Sequence, residues 1–489
     1  MTSTVAARSD RWTWTVPATC CAGVMLVLAA AGVGDLRAAI VVLGCVASIT
    51  LFSALLVLAP GRAADVLAVC AIAAVTVPID KYLLFEQHVG GWPGIRVALA
   101  DLPLLALVPV YVIGRATRRL RVKLPRYVIG LYLLWMIWAT VAALGAARPR
   151  LAGFEVASMA HALVVAALVS AFASRRLLSV VLGVLAAQVV VHTGFAAAQV
   201  VTGRNVGASW FQGASVVQEA LEGGAVRIRP SGLFDHPIVY ADMLLLIVPI
   251  LLAAAVMHRS MAVRAGLLAA AGLGLTGLAL TLSRGAWIGT AVALTFLLAW
   301  MVRVRVITRH VLNRLLLVVG LAAIVLGAAF GPRAYERFTR SNEGNLRVRF
   351  ELNWIAWNMI AAHPVAGIGP SHFIDEMARF DPTNVKKYFP ATVHNLYLLE
   401  ASETGIPGLL LCLSVFGAVI VTGARLPTGM DPLARLVAMA IVSGLIGFLF
   451  TQLADFSHRI EPLRSLIWTE VGLLFALRGA AASNAGEVA

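Results

Sequence analysis

Apolar runs long enough to cross a bilayer recur along almost the whole chain, separated by short polar links that often carry arginine. A hydrocarbon core takes about 17 to 25 residues per helical crossing. In that solvent every backbone N–H and C=O needs an internal partner, so only helices or a closed barrel can span it. The runs are rich in Ala, Leu, Val and Gly and lack the alternation of barrel strands, so they are expected to be helices. Composition agrees. Of 489 residues, 60% are hydrophobic and 13% charged, and the mean hydropathy is +0.88, more apolar surface than a water-soluble domain can hide.

Spans are expected near residues 16–34, 38–59, 63–79, 97–114, 127–145, 155–173, 177–201, 237–257, 265–282, 286–302, 315–331, 405–424, 433–452 and 463–478. That is about fourteen crossings at the usual span length. The expected fold is all-α, a polytopic membrane helix bundle forming one integral membrane domain over residues 1–489. A net charge of +15 can mark a nucleic-acid-binding protein, but the basic residues here punctuate the apolar runs. No nucleic-acid partner is expected; the partner is the lipid bilayer.

With the N-terminus inside, Arg62, the cluster from Arg115 to Arg126, Arg175, Arg176, Arg259, Arg264, Arg303, Arg305, Arg309, Arg314, Arg425 and Arg435 all fall in interior loops. That is the positive-inside pattern of a protein in the cytoplasmic (inner) membrane, with both termini cytoplasmic. The outer side then carries loop 202–236, the larger loop 332–404 and the turn Ser283-Arg284-Gly285. The run after Arg11 is long and has no convincing cleavage site, so a retained first span is expected, not a signal peptide. Cys20, Cys21, Cys45, Cys70 and Cys412 lie in apolar stretches without metal-ligand spacing and read as small buried hydrophobes.

Within loop 332–404, Leu346, Phe350, Trp354, Trp357 and Ala361 recur at helical spacing, which predicts an amphipathic interfacial helix ended by Pro364 and Gly367-Ile-Gly-Pro370. The loop closes on Ala391-Thr-Val-His-Asn-Leu-Tyr397, which runs straight into an apolar stretch and sets His394 at a bilayer surface. Asn395 reads as the N-cap of a short helix through Glu403, with Thr404 or Gly405 capping the next helix and Pro407 in its first turn. The helix dipole then disfavours imidazolium and keeps His394 neutral, able to take a proton from a hydroxyl near pH 7. The competing reading is an interfacial cap or packing residue.

Arginines on the outer face run against both topology and solvation, so they need a reason. Arg284 stands at a hairpin tip where Gly285 allows close backbone approach, which suits a diphosphate at headgroup level. Snorkelling toward lipid phosphate is the competing reading. Arg229 and Arg349 are similar candidates, with Arg347 as a substitute for the latter. Asp65, Asp101, His161, His192, Asp242 and Glu470 also fall in apolar runs; the three aspartates lie near span ends, where solvated or paired carboxylates are expected. No Walker loop, dinucleotide fingerprint, HExxH or paired-aspartate motif stands out, so neither cofactor nor metal is expected.

Four segments together resemble the O-antigen ligase and O-antigen polymerase superfamily of bacterial membrane proteins. They are Arg229-Pro-Ser-Gly-Leu-Phe-Asp-His-Pro237, Leu280-Thr-Leu-Ser-Arg-Gly-Ala-Trp287, Arg349 through His363-Pro-Val-Ala-Gly-Ile-Gly-Pro370, and His394-Asn-Leu-Tyr-Leu-Leu-Glu400 through Gly405-Ile-Pro-Gly408. The resemblance implies a GT-C-like, metal-independent membrane glycosyltransferase. It implies transfer of a glycan from an undecaprenyl-diphosphate-linked donor to the hydroxyl of a glycan or glycolipid acceptor, inverting the anomeric centre. His394 resembles the family's essential histidine, and Arg284 and Arg349 its essential arginines. Arg229, Arg347, Asn395 and Tyr397 complete the set as candidate substrate-binding residues. The Asp235-His-Pro-Ile-Val239 stretch departs from related chains, which often have Asn after the Pro, and this weakens a specific role for His236. Ligase and polymerase differ in the acceptor, which no residue reports. A polyprenyl-linked glycan flippase or transporter is the alternative of another class; it would concentrate charge near the midplane, whereas the distinctive charges here fall on one face.

Overall fold

The computed structural model describes residues 62–86, 88, 93–204, 206–207, 218–220, 226–306, 343–427 and 429–486. In chain order its helices are α1 (Ala63–Ala74), α2 (Asp101–Ala116), α3 (Arg126–Leu144), α4 (Pro149–Phe172), α5 (Leu178–Thr202), α6 (Pro237–Met257), α7 (Met261–Leu280) and α8 (Arg284–Arg303). Then follow α9 (Glu343–Ala362), α10 (Phe373–Phe380), α11 (Leu396–Ala424), α12 (Pro432–Thr451) and α13 (Leu463–Gly486). Among the described residues eight helices, α3 to α8, α11 and α12, are long and apolar enough to cross a membrane. They fall on the spans expected between 127 and 302 and between 405 and 452. The spans expected at 16–34, 38–59 and 315–331 lie outside the described residues. The one expected at 463–478 is α13, which carries Arg464, Glu470 and Arg478 among its apolar residues.

Two expected spans, 63–79 and 97–114, need correction. Helix α1 has 12 residues and α2 has 16. Between them β1 (Asp80–Phe85) and β2 (Gly94–Ala98) pair antiparallel, with Asp80 opposite Ala98 and Phe85 opposite Gly94. Asp80, Lys81 and Arg96 are costly in hydrocarbon, and strand pairing satisfies their backbone groups outside any spanning helix. A second short pair joins β3 (Gln218–Ala220) to β4 (Val226–Ile228). Among the described residues the protein is thus helical with two small hairpins, not strictly all-α.

Helix α6 is buried at nearly every position from Pro237 to Ala255 and forms the centre of the bundle. It packs against α12, which also crosses α8. Lipid is as apolar as leucine, so helices associate through close packing of small residues instead of through water exclusion. Gly289 of α8 and Gly447 of α12 meet so closely that a Cβ on Gly447 would stand 2.3 Å from the Gly289 carbonyl oxygen. A larger residue at either position forces that crossing apart. The antiparallel crossing also brings the first residue of α8, Arg284, to the end of α12 at Thr451, beside the start of α6.

A lobe built from residues 343–395 sits at this end. Leu352, Ile355 and Met359 of α9 pack with Phe373, Met377, Val385 and Val393 in a small core of their own. The opposite face of α9 leaves Phe350, Trp354 and Trp357 exposed. A helix is present where the aromatic stripe predicts one, but it is apolar on both faces, and the stripe turns away from the lobe's core.

Candidate active site

The segment bearing His394 is held by its neighbours. Asn395 N-caps α11, its Oδ1 accepting from the backbone N–H of Tyr397 at 3.0 Å and of Leu398 at 3.1 Å, as its residue type and position predict. Its Nδ2 donates to the Leu453 carbonyl at 3.0 Å, and the Tyr397 hydroxyl donates to the Leu449 carbonyl at 2.6 Å. The backbone N–H of Leu396 reaches the carbonyls of Gln452 and Asp455 at 3.0 and 2.9 Å. The start of α11 is therefore sewn to the end of α12, and His394 is fixed beside residues 449–455.

The first two turns of α11 are separate from the rest. Gly405 breaks the helix with φ 73° and ψ 176°, in a region that a side chain rarely adopts. A Cβ there would also meet the Val365 carbonyl oxygen at 1.9 Å. The short first piece is locked from below: Arg459 donates to Glu400 Oε2 at 2.6 Å and to Glu403, while Arg464 pairs with Glu155 at 2.7 Å. Glu403 also accepts from the backbone N–H groups of Ser371 and Phe373 at 2.8 and 3.1 Å. These buried charges are paired and hydrogen-bonded, the condition under which they are tolerated.

One cavity of about 690 Å³ opens where these pieces meet. It is lined by Arg229, Arg284, Arg349 and His394, with His236, Asp242 and Asp455. Arg284 is the first residue of α8, and Ser283, Gly285 and Ala286 line the same wall. The cavity therefore faces the N-terminal turn of a 20-residue helix, whose unpaired N–H groups and dipole attract anions. Arg229 Nε donates to the Thr281 carbonyl at 3.0 Å, tying the approach to α6 to the α7–α8 turn. Arg349 Nη1 donates to the Ala454 carbonyl at 2.9 Å. At the rim, Ile288, Phe450 and Leu453 combine membership of the cavity wall with exposure on the outside of the bundle.

Burial, then the guanidinium of Arg349, pushes the His394 imidazole down to about 4. His236 is pushed to about 4 by burial, then by Arg229 and by His394 itself. Both rings are therefore neutral at pH 7. The His236 ring is already engaged, since its Nδ1 caps α6 by accepting from the Ile238 N–H at 3.2 Å. Asp455 moves the other way, up to about 6, because burial outweighs the Phe456 N–H, Arg349 and Arg229. A histidine-resolved NMR titration is expected to place His394 at about 4, well below the ordinary imidazole value near 6.5, and to move it upward in Arg349→Gln. A ring titrating at the ordinary value in the unmodified protein would remove this account.

Four of the seven sequence-predicted residues, Arg229, Arg284, Arg349 and His394, share the cavity wall. Arg347 does not; its exposed side chain pairs through Nε with Glu351, one turn along α9, at 2.9 Å. Asn395 and Tyr397 are spent on the cap and on α12. Asp455 escaped the reading of the sequence, since it sits in a short turn with no motif around it. Asp242, noted only as a carboxylate near a span end, also lines the cavity; its Oδ2 accepts from the Ser457 hydroxyl at 2.5 Å and its Oδ1 is buried without a partner.

Residues 269–413 match the family model described as O-antigen ligase. The match bears out the resemblance to the O-antigen ligase and polymerase superfamily carried by the sequence motifs. It takes in Arg284, Arg349 and His394, while Arg229 and Asp455 lie outside it. A comparison with curated proteins finds no match.

Proposed function

We propose that this multi-pass membrane protein is a GT-C-like glycosyltransferase. It moves a glycan from an undecaprenyl-diphosphate carrier to an acceptor hydroxyl at the outer face of the cytoplasmic membrane. One observation carries the reading: three guanidinium groups, a helix N-terminus and a neutral imidazole converge on a cavity whose rim is apolar and outward-facing. A lipid with a diphosphate head matches that division. The isoprenoid lies against Ile288, Phe450 and Leu453, and the diphosphate lies among Arg229, Arg284 and Arg349, whose planar forks bind phosphate oxygens in pairs.

In the transfer the acceptor oxygen attacks the anomeric carbon from the side opposite the diphosphate. The bond from that carbon to the diphosphate oxygen breaks, its electron pair leaves with the diphosphate, and the hydroxyl proton passes to His394. The arginines and the α8 N-terminus bind the charge that grows on the leaving group, which lowers the barrier more than it stabilises the bound donor. A single displacement of this kind inverts the anomeric centre. The diphosphate also offsets the field of Arg349 at His394, so the ring becomes a stronger base when the donor is bound, nearer the pKa that suits general-base work at neutral pH.

A purified assay with undecaprenyl-diphosphate glycan tests the reading. Product on a new acceptor marks a ligase and a lengthened carrier-linked chain marks a polymerase; carrier movement without bond chemistry would overturn the proposal in favour of a flippase. Transfer is expected to continue in excess chelator, because guanidinium groups hold the leaving charge. Activity lost to chelation and restored by one metal ion would refute that. The orientation, with both termini cytoplasmic and loop 332–404 outside, has its own test. A cysteine placed at exposed Lys387 should react with an impermeant thiol reagent from the outer side, and protection until the cytoplasmic membrane is lysed would reverse the topology.

A further inference from the structure

Helix α9 is apolar on both faces, and the described residues cover only one of them. Leu352, Ile355 and Met359 pack into the lobe's core. Phe350, Trp354 and Trp357, spaced at i, i+4 and i+7 on the opposite face, are 72%, 60% and 59% exposed. At about 150 to 250 Å² for each aromatic side chain, they leave a bare patch on the order of 300 Å², a size at which exposed apolar surface marks a contact. Among the described residues neither Trp354 nor Trp357 has a hydrogen-bond partner for its indole N–H. Arg347, one turn before Phe350 on the same face, is exposed as well.

The two ends of α9 fix its level against the membrane. Near its start, Arg349 donates to the Ala454 carbonyl at 2.9 Å, just past the end of α12, where Phe450 and Leu453 are exposed on the outside of the bundle. Just past its other end, the Pro364 carbonyl accepts from the Ile406 N–H at 2.8 Å. Ile406 opens the apolar piece of α11 after the Gly405 break, and with Leu410 and Leu413 it forms an exposed stripe on that helix. Exposed Val365 stands against Gly405, so the bare surface continues from one helix to the other. Both α11 and α12 are long and apolar enough to cross a membrane. Residues 349–362, about 20 Å of helix at 1.5 Å per residue, therefore lie across the ends of two spanning helices instead of standing away from them.

A helix tethered in this way lies in the plane of the membrane surface, and its bare face joins lipid-facing side chains at each end. The residue types suit that depth. An indole has an apolar body and an N–H that needs an acceptor, which lipid carbonyls and phosphates supply at the boundary between water and hydrocarbon. An arginine lays its stem along apolar surface while its head reaches phosphate. We propose that α9 docks through Phe350, Trp354 and Trp357 into the headgroup–acyl boundary of the leaflet on the lobe's side of the membrane. A second copy of this chain is the competing cover, but a protein partner gives no reason for the patch to continue into lipid-facing residues at both ends. Arg349 is next to Phe350 on the helix, so docking sets its guanidinium, and with it the large cavity, at phosphate depth. The docking does not rest on the transfer reading.

Spin labels test the depth directly, in full-length protein reconstituted into vesicles of phosphatidylethanolamine and phosphatidylglycerol. With the five native cysteines replaced by alanine, single labels are placed through Phe350→Cys, Trp354→Cys and Trp357→Cys. Their relaxation is compared in oxygen, which partitions into the acyl region, and in a nickel chelate, which stays in water. All three should relax faster in oxygen and report a depth of about 5 to 10 Å into the boundary. A label at Ala378→Cys, exposed on α10 across the lobe's core, should show the reverse preference. The unmodified protein supplies a check free of any substitution: a phosphatidylglycerol carrying a diazirine near its glycerol should leave photoadducts on residues 350–357. Stripe labels that relax faster in the nickel chelate would put that face in water and overturn the docking. Labels screened from both relaxants, with no lipid adducts, would overturn it in favour of a protein cover, and spin–spin broadening between labelled molecules would identify that cover as a second copy. Either result would leave the reading of the large cavity untouched, and loss of that reading would leave the docking standing.

Discussion

Replacing His394 with alanine is expected to lower glycan transfer by about 10²- to 10⁴-fold, the range a general base contributes, with protein level and membrane insertion unchanged. The fold does not depend on this ring. The α11 cap belongs to Asn395 and the ties to α12 belong to Asn395, Tyr397 and the Leu396 N–H. The His394 ring lies tilted against Phe389 and edge-on to Phe456, with ring centroids 6.3 and 5.6 Å away. The nearest substitute base, His236, has its Nδ1 committed to the α6 cap, so it cannot simply take over. Transfer should be measured per correctly inserted molecule. A wild-type rate for His394→Ala would strip His394 of the role of base and turn attention to Asp455, the wall carboxyl that burial pushes up to about 6.

The parts of the site legible in the sequence were those with a local physical signature. Arg284 stood out because a guanidinium at a hairpin tip between two apolar runs needs a reason, and Asn395 because a cap residue precedes a helical run. Distant parts were not legible. Asp455 gains its importance only when the end of α12 is laid beside the start of α11, a pairing no local pattern encodes. Arg347 and Arg349 illustrate the limit from the other side. Two residues apart on an α-helix, they point about 200° away from one another, so only one can face a given cavity, and sequence alone ranked both as candidates. The β1–β2 hairpin was missed because its strands extend apolar runs of about span length, and only the charges at Asp80, Lys81 and Arg96 argue against hydrocarbon.

Arg349→Lys should separate charge from shape at the leaving group. We expect it to lower transfer by about 10²- to 10³-fold, comparable with loss of one preorganised donor to a developing oxyanion. The wild-type guanidinium already gives one N–H to the Ala454 carbonyl at 2.9 Å, and that bond aims the remaining donors into the cavity. An ammonium group carries its three donors on one atom, so it cannot keep the Ala454 bond and still present a planar fork to two phosphate oxygens. Charge at the site survives the substitution, so His394 should stay where it is in Arg349→Lys, whereas Arg349→Gln should move it part of the way up, burial still holding it below the ordinary value. Loss of transfer in Arg349→Lys with an unmoved His394 titration therefore isolates the fork geometry as the cause. If Arg349 served only to anchor α9 at the lipid surface, lysine would do as well, since either side chain can snorkel. Full activity of Arg349→Lys would reassign the residue to that anchoring role and leave the leaving group to Arg229, Arg284 and the α8 N-terminus.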